Sequence, residues 1–287
     1  MEEQKTGQTS SEKSMIEPTQ YNPDSRFRFR CHKGVKCFTL CCHSINIVLP
    51  PYDIIRIKNR LKMSSEEFLQ KYTKLDFLGH TQLPVITLQM LDVEDGRCPF
   101  VTPDGCTIYS DRPSTCRYYP VGMTTCKEQN KEGVRKEDFY FMVRENHCLG
   151  FQEDKEWTIE EWRKDQGVDI YDEMNRGWME IILRKKSYGP TAELSQQAIQ
   201  MFFMVYSDID RFKRFVFESS FLEKYNISDE TIAKIKRDEL ELMKFGFDWL
   251  KSALFGAEAV NLKDEVLQAK VQDLREKAGQ VASKATS

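Results

Sequence analysis

All nine cysteines of this 287-residue chain lie between Cys31 and Cys148, and none follows. In a reducing cytoplasm structural disulfides are rare, so a thiol density of this kind points to metal ligation or catalysis rather than to cross-links. The first four, Cys31, Cys37, Cys41 and Cys42, fall within twelve residues as C-x5-C-x3-C-C. Packing alone does not require so many thiols in so short a stretch, whereas one compact loop can aim several sulfurs at a common ion. Neighbouring residues in an extended or turn backbone cannot easily both face one point. One of Cys41 and Cys42 is therefore expected to ligate while the other packs or serves a second centre. Cys98, Cys106 and Cys116 form a second group, set among Pro99, Gly105 and Pro113. These residues favour tight turns that expose backbone N–H groups, which can hydrogen-bond to thiolate sulfur. Cys126 and Cys148 complete the set.

The hydrophobic pattern divides the chain. Residues 1–25 are polar and mixed in charge, and they read as a disordered lead-in without the apolar stretch of a signal peptide. Residues 26–151 combine every cysteine with seven of the ten prolines, and they read as a metal-binding half of short strands, loops and small helices. Alternation predicts strands at Phe27-Arg28-Phe29-Arg30, Ile45-Asn46-Ile47-Val48-Leu49, Val85-Ile86-Thr87-Leu88 and Phe139-Tyr140-Phe141-Met142-Val143. A short helix is expected over 53–61, and Ser64-Ser65-Glu66-Glu67 is a capping-box pattern that starts another. Over 158–255 the period turns helical. Thr158-Ile159-Glu160-Glu161 is a second capping box, and Tyr171, Met174, Trp178, Ile181 and Ile182 recur at helical spacing. The stripe from Leu194 through Phe202, Val205, Ile209 and Phe212 to Val216 predicts one helix of more than twenty residues. A further helix begins near Ser228 and carries Ile232, Ile235, Leu242, Met243, Trp249 and Leu250. These stripes read as the core of a helical bundle or cover, and residues 256–287 as a frayed or disordered tail. The fold class expected is α+β, a cysteine-rich half followed by a mainly α-helical half.

Charge and hydropathy exclude several function classes. The 42 basic and 45 acidic residues leave a formal charge of -3 with no single-sign block, so no nucleic-acid partner is expected. No window approaches the roughly 18 consecutive apolar residues that span a bilayer, so no membrane role is expected either. The location these features imply is cytoplasmic.

Several segments together resemble a known family. Cys41-Cys42, Cys98-Pro99-Phe100, the run from Gly105-Cys106-Thr107-Ile108-Tyr109 through Arg112-Pro113-Ser114-Thr115-Cys116-Arg117 to Pro120, and Cys148-Leu149-Gly150 are similar to the motifs of the YkgJ-type CxxCxxCC cysteine-cluster proteins. That family is associated with zinc or iron chelation and with iron-sulfur clusters. The resemblance covers residues 26–151. Carried over position by position, it implies Cys31, Cys37, Cys41, Cys42, Cys98, Cys106, Cys116 and Cys148 as candidate metal ligands. Cys126 falls outside the matched motifs as a spare thiol, and the opening spacing here is longer than the family's.

The cofactor implied is an iron-sulfur cluster, favoured over zinc by the family's association with iron and by the absence of paired C-x2-C knuckles. A redox or assembly role follows from it. Two other classes remain open. Flagellin lysine methylases carry a related cysteine domain, which implies protein methyl transfer, yet no Gly-rich nucleotide loop follows a strand here. A zinc-stapled module that contacts a protein partner is the other. His32, His43 and His147 adjoin cysteines and read either as auxiliary ligands or as polar caps. Arg112 and Arg117 bracket Cys116 and are expected to offset thiolate charge or to bond loop carbonyls; pairing with Asp111 is the plainer alternative.

Overall fold

The computed structural model describes residues 15–17, 19–130, 133–189, 193–269, 271–272 and 275–276. In chain order these form β1 (Met15–Ile16), β2 (Arg26–Arg28), α1 (Pro51–Leu61), α2 (Ser65–Tyr72), β3 (Thr73–Leu78), β4 (Leu83–Leu88), β5 (Val101–Thr102), β6 (Gly105–Cys106), α3 (Ser114–Tyr118), β7 (Val121–Asn130), β8 (Gly133–Arg144), β9 (Glu156–Thr158), α4 (Ile159–Gln166), α5 (Val168–Ser187), α6 (Gln196–Ser207), α7 (Ile209–Glu218), α8 (Phe221–Lys224), α9 (Asp229–Arg237) and α10 (Glu239–Phe255). The class is α+β, with short antiparallel strand pairs in the earlier part and helices in the later part. No helix among the described residues is long and apolar enough to cross a membrane.

Two compact units emerge, and both are discontinuous in sequence. The first comprises the described parts of Met1–Ile47 and Gln89–Tyr171, and the second those of Val48–Leu88 and Asp172–Ser287. The segment Val48–Leu88, flanked by cysteine groups in sequence, thus belongs to the unit that holds the later helices.

In the first unit β1, β8 and β7 form one sheet in that order, and β2 pairs with β9. Of the N-terminal stretch expected to be a disordered lead-in, residues 1–14 and 18 lie outside the described residues. Met15 and Ile16 pair with Arg144 and Val143, and Tyr21 bridges Tyr140. The core is aromatic: Phe27, Phe29, Val121, Tyr140, Met142, Ile159 and Trp162 pack together. Trp162 stands edge-on to Phe27, Phe29 and Trp157, at 5.9, 5.5 and 5.4 Å between centroids. Such contacts add to the burial of these large rings. Alternation places Phe27 and, beyond the end of β2, Phe29 on this core, and the cysteine loop leaves directly from it.

The second unit packs α1 and the β3–β4 hairpin with α5 to α10. Every residue of β4 is buried. The Tyr206 hydroxyl accepts from Ile86 N–H at 2.7 Å and donates to the Leu49 carbonyl at 2.7 Å. The run Ile45–Leu49, expected as a strand, forms only an isolated bridge, Val48 with Thr87. Its alternating apolar residues Ile47 and Leu49 are buried, but it makes no continuous ladder. Lys58 is almost wholly buried. Its ammonium lies 2.8 Å from Glu239 and 3.6 Å from Asp210.

Both capping boxes form. Ser64 with Glu67 opens α2, and Thr158 with Glu161 opens α4. Each long stripe, however, is two helices. Asp208 separates α6 from α7 and accepts from Arg211 N–H at 2.9 Å; Asp238 separates α9 from α10 and accepts from Leu240 and Glu241 N–H at 2.7 and 3.3 Å. An aspartate that bonds free N–H groups ahead of it favours an N-cap over a helix interior, which is why the expected single helices break at these points. Of the tail 256–287, residues 270, 273–274 and 277–287 lie outside the described residues.

If the two aspartates hold these breaks, Asp238→Ala and Asp208→Ala should each destabilise the chain by about 1 kcal/mol, the usual worth of an N-cap side chain. Urea unfolding followed by circular dichroism measures this, and an unchanged midpoint in both variants contradicts the capping role.

Candidate metal centre

The segment 31–42 is wound by consecutive tight turns. Val35 N–H donates to His32 O, Phe38 to Val35, Leu40 to Cys37 and Cys42 to Thr39, all within 2.9 to 3.0 Å. Cys41 and Cys42 close the segment on a 3₁₀ turn, Leu40–Cys42. Its two ends are fixed by partners distant in sequence. At the start, Arg30 N–H donates to Gly150 O at 3.0 Å, which brings Cys31 beside the Cys148 segment. At the end, Cys98 N–H donates to Cys42 O at 2.8 Å, Ser44 N–H to Gly96 O at 2.9 Å, and His43 bridges Arg97.

The second cysteine group is assembled by local turns. The chain reverses after Cys98, whose carbonyl accepts from Val101 N–H at 3.2 Å, and β5 pairs with β6 so that Val101 faces Cys106. Gly105 has φ 111, a conformation open to glycine, and a side chain there would meet the Phe38 ring at 3.2 Å. Pro113 stands at the N-terminal boundary of α3, which carries Cys116. The third contributor is the turn after β8. Cys148 N–H donates to Glu145 O at 2.9 Å, and the next residue, Leu149, donates its N–H to Cys37 Sγ at 3.1 Å. Gly150 follows, and a Cβ there would come within 2.7 Å of the Phe29 ring and 3.1 Å of Arg30 O. The Cys-x-Gly pattern therefore serves a close backbone approach to the core strand.

Eight thiols of the first unit are free: Cys31, Cys37, Cys41, Cys42, Cys98, Cys106, Cys116 and Cys148. Burial, with neighbouring thiols added to it, makes most of them reluctant to ionise. Burial, with the neighbouring Cys41, Cys37 and Cys148, pushes Cys31 up to about 12, although the residue sits at the exposed rim. Cys41 is raised first by its hydrogen bond with Cys42 and then by burial. Burial raises Cys148, against which the Tyr119 hydroxyl and Gly150 N–H pull down while Cys37 and Cys41 push up. In the second group burial pushes Cys98 up to about 11; the N–H groups of Phe100 and Val101 oppose it, and Cys106 adds to it. Burial raises Cys106 against Ile108 N–H and the Arg112 guanidinium. Burial also raises Cys116, with Cys98, Cys106 and Cys41 adding repulsion and Arg112 opposing it. Thiols in this state keep their protons until a cation supplies the missing positive charge, and metal binding then releases them.

The donor chemistry fits a thiophilic metal. Among the described residues, no three Cys, His, Asp or Glu side chains already stand in a group that could hold a metal ion. Gathering the thiols onto one therefore requires side-chain rotation. One buried group suits thiolate formation: the Tyr119 hydroxyl lies beside the Cys148 sulfur and favours its ionised form. It can donate to a thiolate there. Of the three histidines, His32 is engaged at both ring nitrogens: Nε2 lies 2.9 Å from Glu153 and Nδ1 accepts from Gly34 N–H at 3.1 Å. His43 Nδ1 lies 3.6 Å from Asp95, and His147 Nε2 lies 3.3 Å from Glu145 without a hydrogen bond among the described residues. The two arginines divide the work. Arg112 stacks on Tyr109 at 3.9 Å, donates to Tyr109 O at 2.8 Å and bonds Gln166; its charge reaches Cys106 and Cys116. Arg117 instead donates to the carbonyls of Arg112 at 3.1 Å, Gln166 at 2.7 Å and Ser110, and to the Tyr171 hydroxyl at 3.0 Å. Cys126 lies in β7 opposite Glu137, and its side chain is outside the described residues.

Sequence reasoning did not single out Tyr119, Leu149 N–H or Glu145. Tyr119 stands inside the Gly105 to Pro120 motif, which was its available signal; a backbone N–H aimed at sulfur leaves none.

Comparison with curated proteins and with solved structures found no match. Comparison with family models found one over residues 30–155, the CxxCxxCC family, described as a "putative zinc- or iron-chelating domain". The match spans all nine cysteines and all the turns described above. Residues 30–155 of the chain are thus similar to the CxxCxxCC family, and the similarity covers less than half of the chain.

Proposed function

We propose that this domain holds an iron-sulfur cluster through its clustered thiols in a reducing cytoplasm, and that the cluster serves a redox or assembly role. The observation that carries the reading is the gathering of free, partly buried thiols from three contributing stretches that local turns and long-range backbone bonds bring together. A protein gains little stability from thiols that raise one another's pKa, whereas a cationic centre turns the same crowding into ligation. The candidate ligands are Cys31, Cys37, Cys41, Cys42, Cys98, Cys106, Cys116 and Cys148. Backbone N–H groups near sulfur, such as that of Leu149, and the Arg112 charge favour iron-sulfur centres, whose potentials respond to hydrogen bonds and net charge. When bound, a cluster supplies electron transfer.

Protein purified without oxygen should be brown, absorb near ~400 nm and contain iron with acid-labile sulfide, as thiolate-bound clusters do and d10 zinc does not. Colourless protein loaded with zinc contradicts the cluster. Metal-free protein contradicts the centre altogether.

The two arginines should part company on substitution. Arg112→Met removes a charge that favours the Cys106 and Cys116 thiolates, so metal retention under chelator competition should fall about 10-fold to 100-fold. Arg117→Met removes the donor to the Arg112, Gln166 and Ser110 carbonyls and should lower unfolding stability instead, by about 1 kcal/mol or more. Equal metal retention in Arg112→Met and wild type overturns the first assignment, and an unchanged unfolding midpoint in Arg117→Met overturns the second.

A further inference from the structure

We propose that the chain associates as a symmetric dimer through β3, whose free edge pairs antiparallel with β3 of a second copy, so that Leu75 faces Leu75 and Lys74 of each copy faces Asp76 of the other. The surface lies in the second unit and does not depend on the metal.

The free edge follows from the hydrogen bonds of β4. The two strands form an antiparallel pair with Leu75 opposite Ile86 and Phe77 opposite Pro84. Ile86 gives its N–H to the Tyr206 hydroxyl at 2.7 Å, and its carbonyl accepts from Leu49 N–H at 2.9 Å, so both polar groups point away from β3. In an antiparallel ladder the residue opposite such a position also points its N–H and carbonyl outward, and the pattern recurs at every second residue. Lys74, Asp76 and Leu78 therefore bond to β4, whereas Thr73, Leu75 and Phe77 turn their backbone groups to the other edge of β3. No further strand pairs with that edge among the described residues. Asp76 Oδ1 accepts from Phe77 N–H at 2.7 Å, which covers one edge donor with the chain's own carboxylate.

The side chains identify the occupant. Leu75 and Phe77 are 56% and 60% exposed, on one face of a strand whose neighbour β4 is wholly buried. An open edge with apolar side chains is a template for another strand, and the order Lys74-Leu75-Asp76 makes that strand a copy of itself. About a two-fold axis at Leu75, the two Leu75 residues exchange N–H to carbonyl bonds and Phe77 N–H meets the Thr73 carbonyl of the second copy. Both Lys74–Asp76 pairs then fall at non-hydrogen-bonded positions, where cross-strand side chains lie closest and opposite charges attract. Lys74 has no ion pair of its own among the described residues, and Asp76 exchanges Phe77 N–H for that lysine. An axis one residue to either side sets Lys74 against Lys74 or Asp76 against Asp76. An axis at Phe77 leaves both without an opposite charge. One strand pair is smaller than a standard interface, so the dimer depends on concentration.

Sedimentation equilibrium of the full-length chain, under reducing conditions that exclude disulfide-linked species, tests this. Wild type should pass from monomer to dimer between micromolar and millimolar concentration. Lys74→Asp and Asp76→Lys each set like charges opposite one another and should weaken dimerisation about 10-fold or more. An equimolar mixture of the two variants should recover it, as should the double variant that carries both changes. Hydrogen exchange reads the same contact without a variant: in wild type the Leu75 amide should gain protection as concentration rises. A wild type that stays monomeric leaves the edge to a strand of another protein and overturns the pairing. A dimer undiminished in both single variants, or a Leu75 amide whose exchange ignores concentration, overturns it as well.

Discussion

Crowding of thiols in one compact unit is the constraint to which the rest of the site answers. Burial makes these sulfurs hard to ionise and the neighbouring thiols add to it at Cys31 and Cys116, while at Cys41 the bond with Cys42 comes first and burial second. The surrounding groups act against that tendency. Arg112 brings positive charge to Cys106 and Cys116, Phe100 and Val101 turn N–H groups toward Cys98, and Tyr119 presents a hydroxyl to Cys148. These are partial offsets, and a bound cation is the larger one that the arrangement lacks on its own.

The scaffold that imposes the crowding is small. Phe27, Phe29 and Trp162 anchor β2 to β9 and α4, and the cysteine loop starts two residues after Phe29. The Cys148 turn returns to the same strand end because Gly150 lets the backbone pass against Phe29 and Arg30. Arg117 ties the loop before α3 to the end of α4 through its bonds to the Arg112 and Gln166 carbonyls. Aromatic packing, one glycine and one arginine thus set where separate segments deliver their sulfurs.

Local devices were legible in the sequence, and the assembly was less so. The capping boxes at Ser64 and Thr158 formed because the signal lies wholly within four residues. The breaks at Asp208 and Asp238 were hidden because the apolar spacing continues through them, although each aspartate was itself the signal for a new N-cap. Ile45–Leu49 alternates like a strand, yet alternation records which face is buried and does not supply a pairing partner. The segment Val48–Leu88 sits between cysteine groups in sequence while its apolar faces pack with the later helices, a matter of long-range contact that no local period encodes. For the candidate site, the motif residues named the thiols. Their neighbours Tyr119 and Leu149 N–H became apparent only when the turns were in place.

The central claim is that these cysteine sulfurs, rather than the adjoining histidines or carboxylates, are the metal's ligands. X-ray absorption at the edge of whichever metal the anaerobically purified chain carries measures this directly. The account predicts a first shell of sulfur at about 2.3 Å without a nitrogen or oxygen component. A shell dominated by nitrogen or oxygen at about 2.0–2.1 Å would contradict it.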